Sequence, residues 1–174
     1  MRTQSVLILA AAWLAACNTP PTKDASASPD AFLALSIASA TVAPLSDTYC
    51  SGQPTPEQFA QLPRAGIRRV ISLRPATEAG TGWEEAKAEE LGLEFVRIAI
   101  TGADDLTPEN LARLSQARSP HAPTLITCAS SNRVGAMLAL EAQRDGTAPA
   151  QALALGKQCG LAKLEPAVKQ KLGL

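Results

Sequence analysis

One stretch of the sequence combines residue types suited to chemistry on an anion: Cys128-Ala129-Ser130-Ser131-Asn132-Arg133, a thiol and a guanidinium separated by four residues. An apolar run from Pro123 to Thr127 precedes it and a strongly helical run from Asn132 to Arg144 follows, so the thiol falls where a strand ends and a helix begins. There the unpaired backbone N–H groups and the positive end of the helix dipole favour a thiolate, which is the nucleophilic form. The same N–H groups, from Ala129, Ser130, Ser131, Asn132 and Arg133, form a cradle for an anion, and the small side chains allow close approach. The Arg133 side chain closes that cradle with a planar fork suited to a phosphoryl or sulfuryl group. The competing reading is a buried structural Cys beside a solvent-facing Arg, and the strand-before, helix-after context favours the reactive one.

The elements that position this loop alternate. Thr55-Pro56-Glu57 supplies a capping hydroxyl, a proline for the first helical position and an acid in the first turn, which predicts a helix over 55–64. Gly66 ends it, and a buried strand is expected over 68–73. Residues 81–92 read as a helix with Trp83, Ala86 and Leu91 turned inward and Glu84, Glu85, Lys87, Glu89 and Glu90 outward. A strand over 93–100 follows, and Thr107-Pro108-Glu109 repeats the start signal for a helix over 107–118. After the strand over 123–127 and the helix over 132–144, residues 148–172 read as two short helices divided near Gly160. Strict alternation of this kind predicts a single α/β domain with a mostly parallel sheet flanked by helices. Ligands of such sheets bind beyond the carboxyl ends of the strands, here just after Leu73, Ile100 and Thr127. Residues 32–42 lack clear periodicity and are expected to form an initial strand or loop.

Composition narrows the function classes. The chain has 174 residues, with sixteen basic and sixteen acidic side chains, so it offers no electrostatic case for a nucleic-acid partner. Apolar residues make up 46% and aromatics 3%, which suits a core of Ala, Leu, Val and Ile. Four Cys are too few for a disulfide scaffold, so each is judged by position. Arg2 and the apolar run from Val6 to Ala16, too short to span a bilayer, have the pattern of a secretory signal. Leu14-Ala15-Ala16-Cys17 resembles the lipobox of bacterial lipoprotein signals, which implies that the Cys17 thiol carries a diacylglyceryl group. Asn18 resembles the sorting pattern for the outer membrane, which implies the bacterial cell envelope, on the periplasmic face of that membrane. Residues 18–29 are rich in Pro, Thr, Ser, Ala and Asp and read as a tether. The expected organisation is a signal segment over 1–16, lipidated Cys17 with its tether over 17–44, and the α/β domain over 45–174.

Four stretches together are similar to a known family. They are Ser51-Gly52-Gln53-Pro54-Thr55-Pro56-Glu57, Val70-Ile71-Ser72-Leu73-Arg74-Pro75, the loop Cys128 to Arg133 with Val134-Gly135-Ala136, and Gly160-Leu161-Ala162-Lys163-Leu164-Glu165-Pro166. In this order they resemble the bacterial phosphatase-like domains related to the beta-lactamase hydrolase-like protein, relatives of the cysteine-dependent tyrosine and dual-specificity phosphatases. The resemblance covers roughly residues 45–174 and implies a tyrosine-phosphatase-like fold. It implies Cys128 as the nucleophile that forms a phospho-cysteine, Arg133 as the phosphate clamp, and an Asp after an upstream strand as the general acid. Asp104 and Asp105, after Ile100, are the carboxylates so placed. The implied substrate is a phosphorylated small molecule or protein side chain, handled without cofactor or metal. No zinc-ligand spacing, dinucleotide fingerprint or nucleotide-triphosphate loop occurs in the sequence.

The sequence departs from tyrosine phosphatases at three points. Four residues stand between Cys and Arg instead of five, Thr127 stands where a His usually precedes the nucleophile, and Ser131 stands where the pattern usually has Gly. Rhodanese-like sulfurtransferases also use a Cys on a shorter loop, so sulfur transfer through a Cys128 persulfide is an alternative, and a catalytically weak anion-binding domain is another. In oxidising surroundings Cys50 and Cys159 are candidate redox partners of Cys128, and a pairing with it would protect or silence the nucleophile. His121 reads as a loop residue, and Trp83 and Phe95 as packing residues. Arg74 reads either as an anion contact at the sheet edge or as half of a surface ion pair.

Overall fold

The computed structural model describes residues 43–45, 47–118 and 121–174. The expected signal segment, Cys17 and the stretch 32–42 lie outside the described residues. Strands β1 (Ala43–Leu45), β2 (Thr48–Ser51), β3 (Arg69–Ser72), β4 (Glu94–Arg97) and β5 (Thr124–Thr127) form one sheet in the order β1-β2-β5-β3-β4. β2, β5, β3 and β4 are mutually parallel, and β1 adds antiparallel to β2, with Ala43 opposite Cys50. The expected parallel α/β sheet is therefore present, with one further strand, β2, between β1 and β5, that the sequence pattern does not mark.

Alternation along the strands builds two cores. Tyr49, Leu125 and Val70 share one face and pack with Phe59, Leu62, Ile67 and Ala88. Cys50, Ile126 and Ile71 share the other, against Leu111, Leu114, Val134, Met137 and Val168. The first face is covered by α1 (Pro56–Phe59) and α2 (Glu84–Glu90). The second lies under α3 (Pro108–Ala117), α4 (Asn132–Arg144), α5 (Pro149–Gln158) and α6 (Glu165–Leu172). Burying the β-branched and Leu side chains of these strands stabilises the sheet by about 2 kcal/mol each.

Most predicted elements are present with tighter limits. The start signals at Thr55 and Thr107 act as read: each hydroxyl accepts from the backbone N–H three residues on, and Gln58 completes a capping box at the first. The helix expected over 55–64 ends at Phe59 and continues as turns, because Pro63 lacks an N–H and disfavours helical geometry in the residue before it. Over 81–92 the helical part is Glu84–Glu90, and its inward face differs from expectation. Ala88 is buried, Ala86 is exposed, and Glu84 is fully buried. The Glu84 carboxylate tolerates burial because Arg97 pairs with it at 2.9 Å and the Ser72 hydroxyl donates to it at 3.1 Å, which ties α2 to both β3 and β4. Trp83 packs edge-on to Phe59 at 5.2 Å, and Phe95 joins the same core.

α4 and α5 meet at two glycines. A Cβ on Gly135 would lie 2.4 Å from both the Gly156 carbonyl oxygen and the Leu161 amide nitrogen. Backbone cannot yield there as a side chain would, so Gly135→Ala is expected to destabilise the domain by about 3 kcal/mol. Urea unfolding would show it as a lower midpoint with unchanged slope, and an unchanged midpoint would refute the close packing.

Candidate active site

The carboxyl ends of the parallel strands converge. β5 lies between β2 and β3, with Thr127 opposite both Ser51 and Ser72, so the segments after these strands begin at one level. Cys128, directly after β5, is fully buried, with its N–H on the Ser51 carbonyl at 3.3 Å. Gly52 bridges to Ser130, and Gln53 donates to the Ala129 carbonyl at 3.4 Å, so the segment after β2 lines one side of the Cys128 loop. Thr127, standing where the resembled phosphatases usually have His, is buried and donates its hydroxyl to the Gly52 carbonyl at 2.7 Å. Its work is structural: it holds the end of β5 to the end of β2.

The loop reaches α4 through a left-handed residue. Ser131 has φ 64° and ψ −6°, the conformation that the usual Gly would adopt freely and that costs a Ser roughly 1 kcal/mol. Its buried hydroxyl donates to the Cys159 carbonyl at 2.7 Å, which offsets that cost. Gly160 makes room for it, since a Cβ at Gly160 would stand 2.6 Å from the Ser131 Cβ. Ser131 places no side-chain cap on α4, and the Asn132 amide oxygen instead accepts from Ala162 at 2.8 Å and Leu164 at 3.2 Å, securing the segment before α6. Ala129 and Ser130, on the loop that leads into α4, are exposed.

Arg133 is gripped from behind. One terminal nitrogen, Nη1, donates to Glu78 Oε2 at 2.7 Å and to the Ile100 carbonyl at 2.9 Å, and Nη2 donates to Glu78 Oε1 at 3.0 Å. These three bonds leave Nε and the second Nη2 hydrogen as a parallel pair of donors. The guanidinium is held above its usual pKa by Glu78 first, with Cys128 adding to the effect against the opposing influence of burial. Glu78 in turn is held down at about 2, chiefly by Arg133 and then by Arg74, burial opposing both. Arg74 is neither a surface ion pair nor open to a ligand: it is buried and donates to Glu78 at 2.8 Å, Gln53 at 2.8 Å and the Ala79 carbonyl at 2.5 Å. Glu78 carries no sequence signal, because a carboxylate in a turn has no characteristic spacing, and Gln53 belongs to the stretch over 51–57 without a contact role that the sequence assigns.

The two acids after Ile100 share a 3-10 turn, Ala103–Asp105, but not an environment. Asp105 turns back onto Thr101, accepting from its N–H at 2.6 Å and from its hydroxyl, and these bonds lower its pKa. Asp104 is exposed and makes no hydrogen bond or ion pair with the described residues. Because Arg133 binds the Ile100 carbonyl, the turn is moored to the same guanidinium as the loop. His121 is exposed, as expected of a loop residue. Cys50 and Cys159 are brought to each other, their Sγ atoms 2.9 Å apart, and not to Cys128.

These features define a class: a cysteine and an arginine on one strand-to-helix loop at the carboxyl edge of a parallel sheet, in a phosphatase-like fold. Over 101 residues, 55% of this chain, the sequence is 30% identical to a beta-lactamase hydrolase-like protein of Xylella fastidiosa, of which the match covers 23%. The chain thus spans about a quarter of the length of that curated relative, and no family model matches it. The fold is similar to that of P. aeruginosa TpbA, with a TM-score of 0.62 at 20% identity over 78% of this chain and 85% of that one. A second TpbA structure, in complex with phosphotyrosine, gives a TM-score of 0.59 at 20% identity over 83% and 85%. The core catalytic domain of the PP-IP phosphatase from S. cerevisiae, in complex with citrate, gives 0.60 at 14% over 77% and 84%. The tyrosine-phosphatase-like fold implied by the sequence motifs is the fold observed.

The depressed pKa of Glu78 has a pH signature. A carboxylate that is more acidic when folded stabilises the protein above its ordinary value of 4.5, and the contribution is lost as pH falls toward about 2. Wild type is expected to melt higher than Glu78→Gln at neutral pH, with the gap closing between those limits. Thermal melts at stepped pH check this, and a gap independent of pH would refute the ion-pair account.

Proposed function

We propose that the protein hydrolyses phosphate esters through a phospho-cysteine on Cys128. The observation that carries the reading is the Arg133 guanidinium, anchored by Glu78 and Ile100 with one two-donor edge left over and Cys128 close enough to act on its charge. A tetrahedral oxyanion accepts from that edge and from the N–H groups at the start of α4. The Cys128 thiolate attacks phosphorus, the P–O bond to the leaving group breaks, and the departing oxygen takes a proton. Asp104 is the acid for that transfer, since the Asp105 carboxylate is already committed to Thr101. Water then attacks the phospho-cysteine, giving its proton to the Asp104 carboxylate while the P–S bond breaks and the thiolate returns. The substrate is a phosphorylated small molecule or side chain, a reading supported by phosphotyrosine in the complex of P. aeruginosa TpbA.

The N-terminal pattern supports a bacterial lipoprotein, held through Cys17 at the periplasmic face of the outer membrane. Incorporation of labelled palmitate, lost in Cys17→Ala, is the expected result, and label retained in that variant would overturn the anchor.

Release of phosphate from an aryl phosphate by the reduced protein is expected, abolished in Cys128→Ser. Asp104→Asn should lower kcat by about 10²-fold, and Asp105→Asn by less than tenfold. The parallel measurement is thiocyanate from thiosulfate and cyanide. Cys128-dependent thiocyanate without phosphate release would replace this reading with sulfur transfer, and inactivity in both assays would leave an anion-binding domain.

A further inference from the structure

We propose that Cys50 and Cys159 form a disulfide that fastens the loop-bearing end of α5 to the sheet and leaves Cys128 as the free thiol of the domain. Cys50 is the third residue of β2, beside Ile126 of β5, and Cys159 is the residue that closes α5. Both side chains are fully buried in the same core, and their sulfurs stand 2.9 Å apart. A disulfide bond is about 2.05 Å, so closure asks for roughly 0.9 Å of approach between atoms that already face each other. The segment between them is 109 residues along the chain, so this contact is a product of the fold and not of local sequence.

The two thiols are chemically unequal. The Cys50 S–H donates to Cys159, which raises the Cys50 pKa, with burial adding to the rise, and lowers that of Cys159. Before docking either thiolate, written here for Cys159, attacks one sulfur of an oxidant disulfide, such as oxidised glutathione or a protein disulfide, forming a mixed disulfide and expelling one thiolate. Cys50 gives up its proton and attacks the Cys159 sulfur, expelling the second. The pair loses two electrons and two protons, and the oxidant's disulfide becomes two thiols. Because both sulfurs are sealed from solvent once α5 is docked, exchange with oxidant or reductant takes place while α5 is undocked, during folding or after denaturation.

The location gives the bond a second effect. The Cys159 carbonyl accepts the hydrogen bond that holds Ser131 left-handed, and Gly160 packs on the Ser131 side chain. A link from Cys159 to β2 therefore fixes the far wall of the Cys128 loop to the sheet. It also occupies the other two cysteines of the described residues, so Cys128 has no thiol among them to pair with.

The experiment refolds the full chain in mixed reduced and oxidised glutathione, alkylates it with iodoacetamide under denaturing conditions and maps the digest. The expected products are a Cys50–Cys159 linked peptide pair and an alkylated Cys128 peptide. Refolding in dithiothreitol in place of the glutathione mixture should abolish the link and lower Tm by about 10 °C. The Tm of Cys50→Ala/Cys159→Ala should not respond to dithiothreitol. Alkylation of both Cys50 and Cys159 in the refolded protein, or a link that contains Cys128, would overturn the proposal. The mapping uses wild type and stands even if the double variant does not fold.

Discussion

A single carboxylate, that of Glu78, lies between the buried guanidinium of Arg74 and the half-buried one of Arg133, and the geometry of the rim follows from it. Arg74 reaches it from the end of β3, and Arg133 from the first turn of α4. Two cations on one anion leave a local positive charge at the rim of a chain whose formal net charge is zero. The arrangement also spends the less useful donors of Arg133 on protein, so its orientation is fixed before a ligand arrives. Rigid positioning of this kind explains how a protein with balanced overall charge can present a local electrophilic clamp.

The sheet supplies the frame for that clamp. Placing β5 between β2 and β3 sets three segments side by side: Gly52-Gln53, the Cys128 loop and Arg74 to Glu78. Cross-connections then knit them, from Thr127 to Gly52, from Arg74 to Gln53 and from Arg97 to the Arg74 carbonyl. The same logic extends to the opposite wall, where Ser131 and Asn132 reach Cys159, Ala162 and Leu164. Each loop at the rim is held by a neighbour that belongs to a different strand or helix, so no single turn has to define its own shape.

The parts legible in the sequence were those governed by local rules. Capping residues, proline at the first helical position and apolar runs located β3, β4, β5 and the helices, and the context of Cys128 and Arg133 located the loop. The positive φ of Ser131 was also foreseeable, because the usual residue there is Gly. What could not be read depended on distant partners. β2 is only four residues, three of them hydroxyl-bearing, yet its position between β1 and β5 buries it throughout. Glu84 reads as a solvated residue of a charged helix until Arg97 and Ser72 are seen to meet it. Glu78 carries no motif, and the meeting of Cys50 with Cys159 arises only once α5 is laid on α4. The choice between Asp104 and Asp105 likewise turned on one local contact, with Thr101, that spacing does not encode.

The two outer strands carry a consequence for colloidal behaviour. A parallel sheet with bare borders is a template for another chain's backbone, and this one is blunted at both sides. β1 is three residues long with Pro44 at its centre, which removes an amide from any further ladder. β4 is short, half-buried and charged at both ends, Glu94 engaged with Arg69 and Arg97 with Glu84. Strand recruitment from a neighbouring molecule would have to displace these ion pairs on one side and tolerate a missing donor on the other. At high local density, as on a crowded surface, that is the property that keeps copies of such a domain from fusing edge to edge.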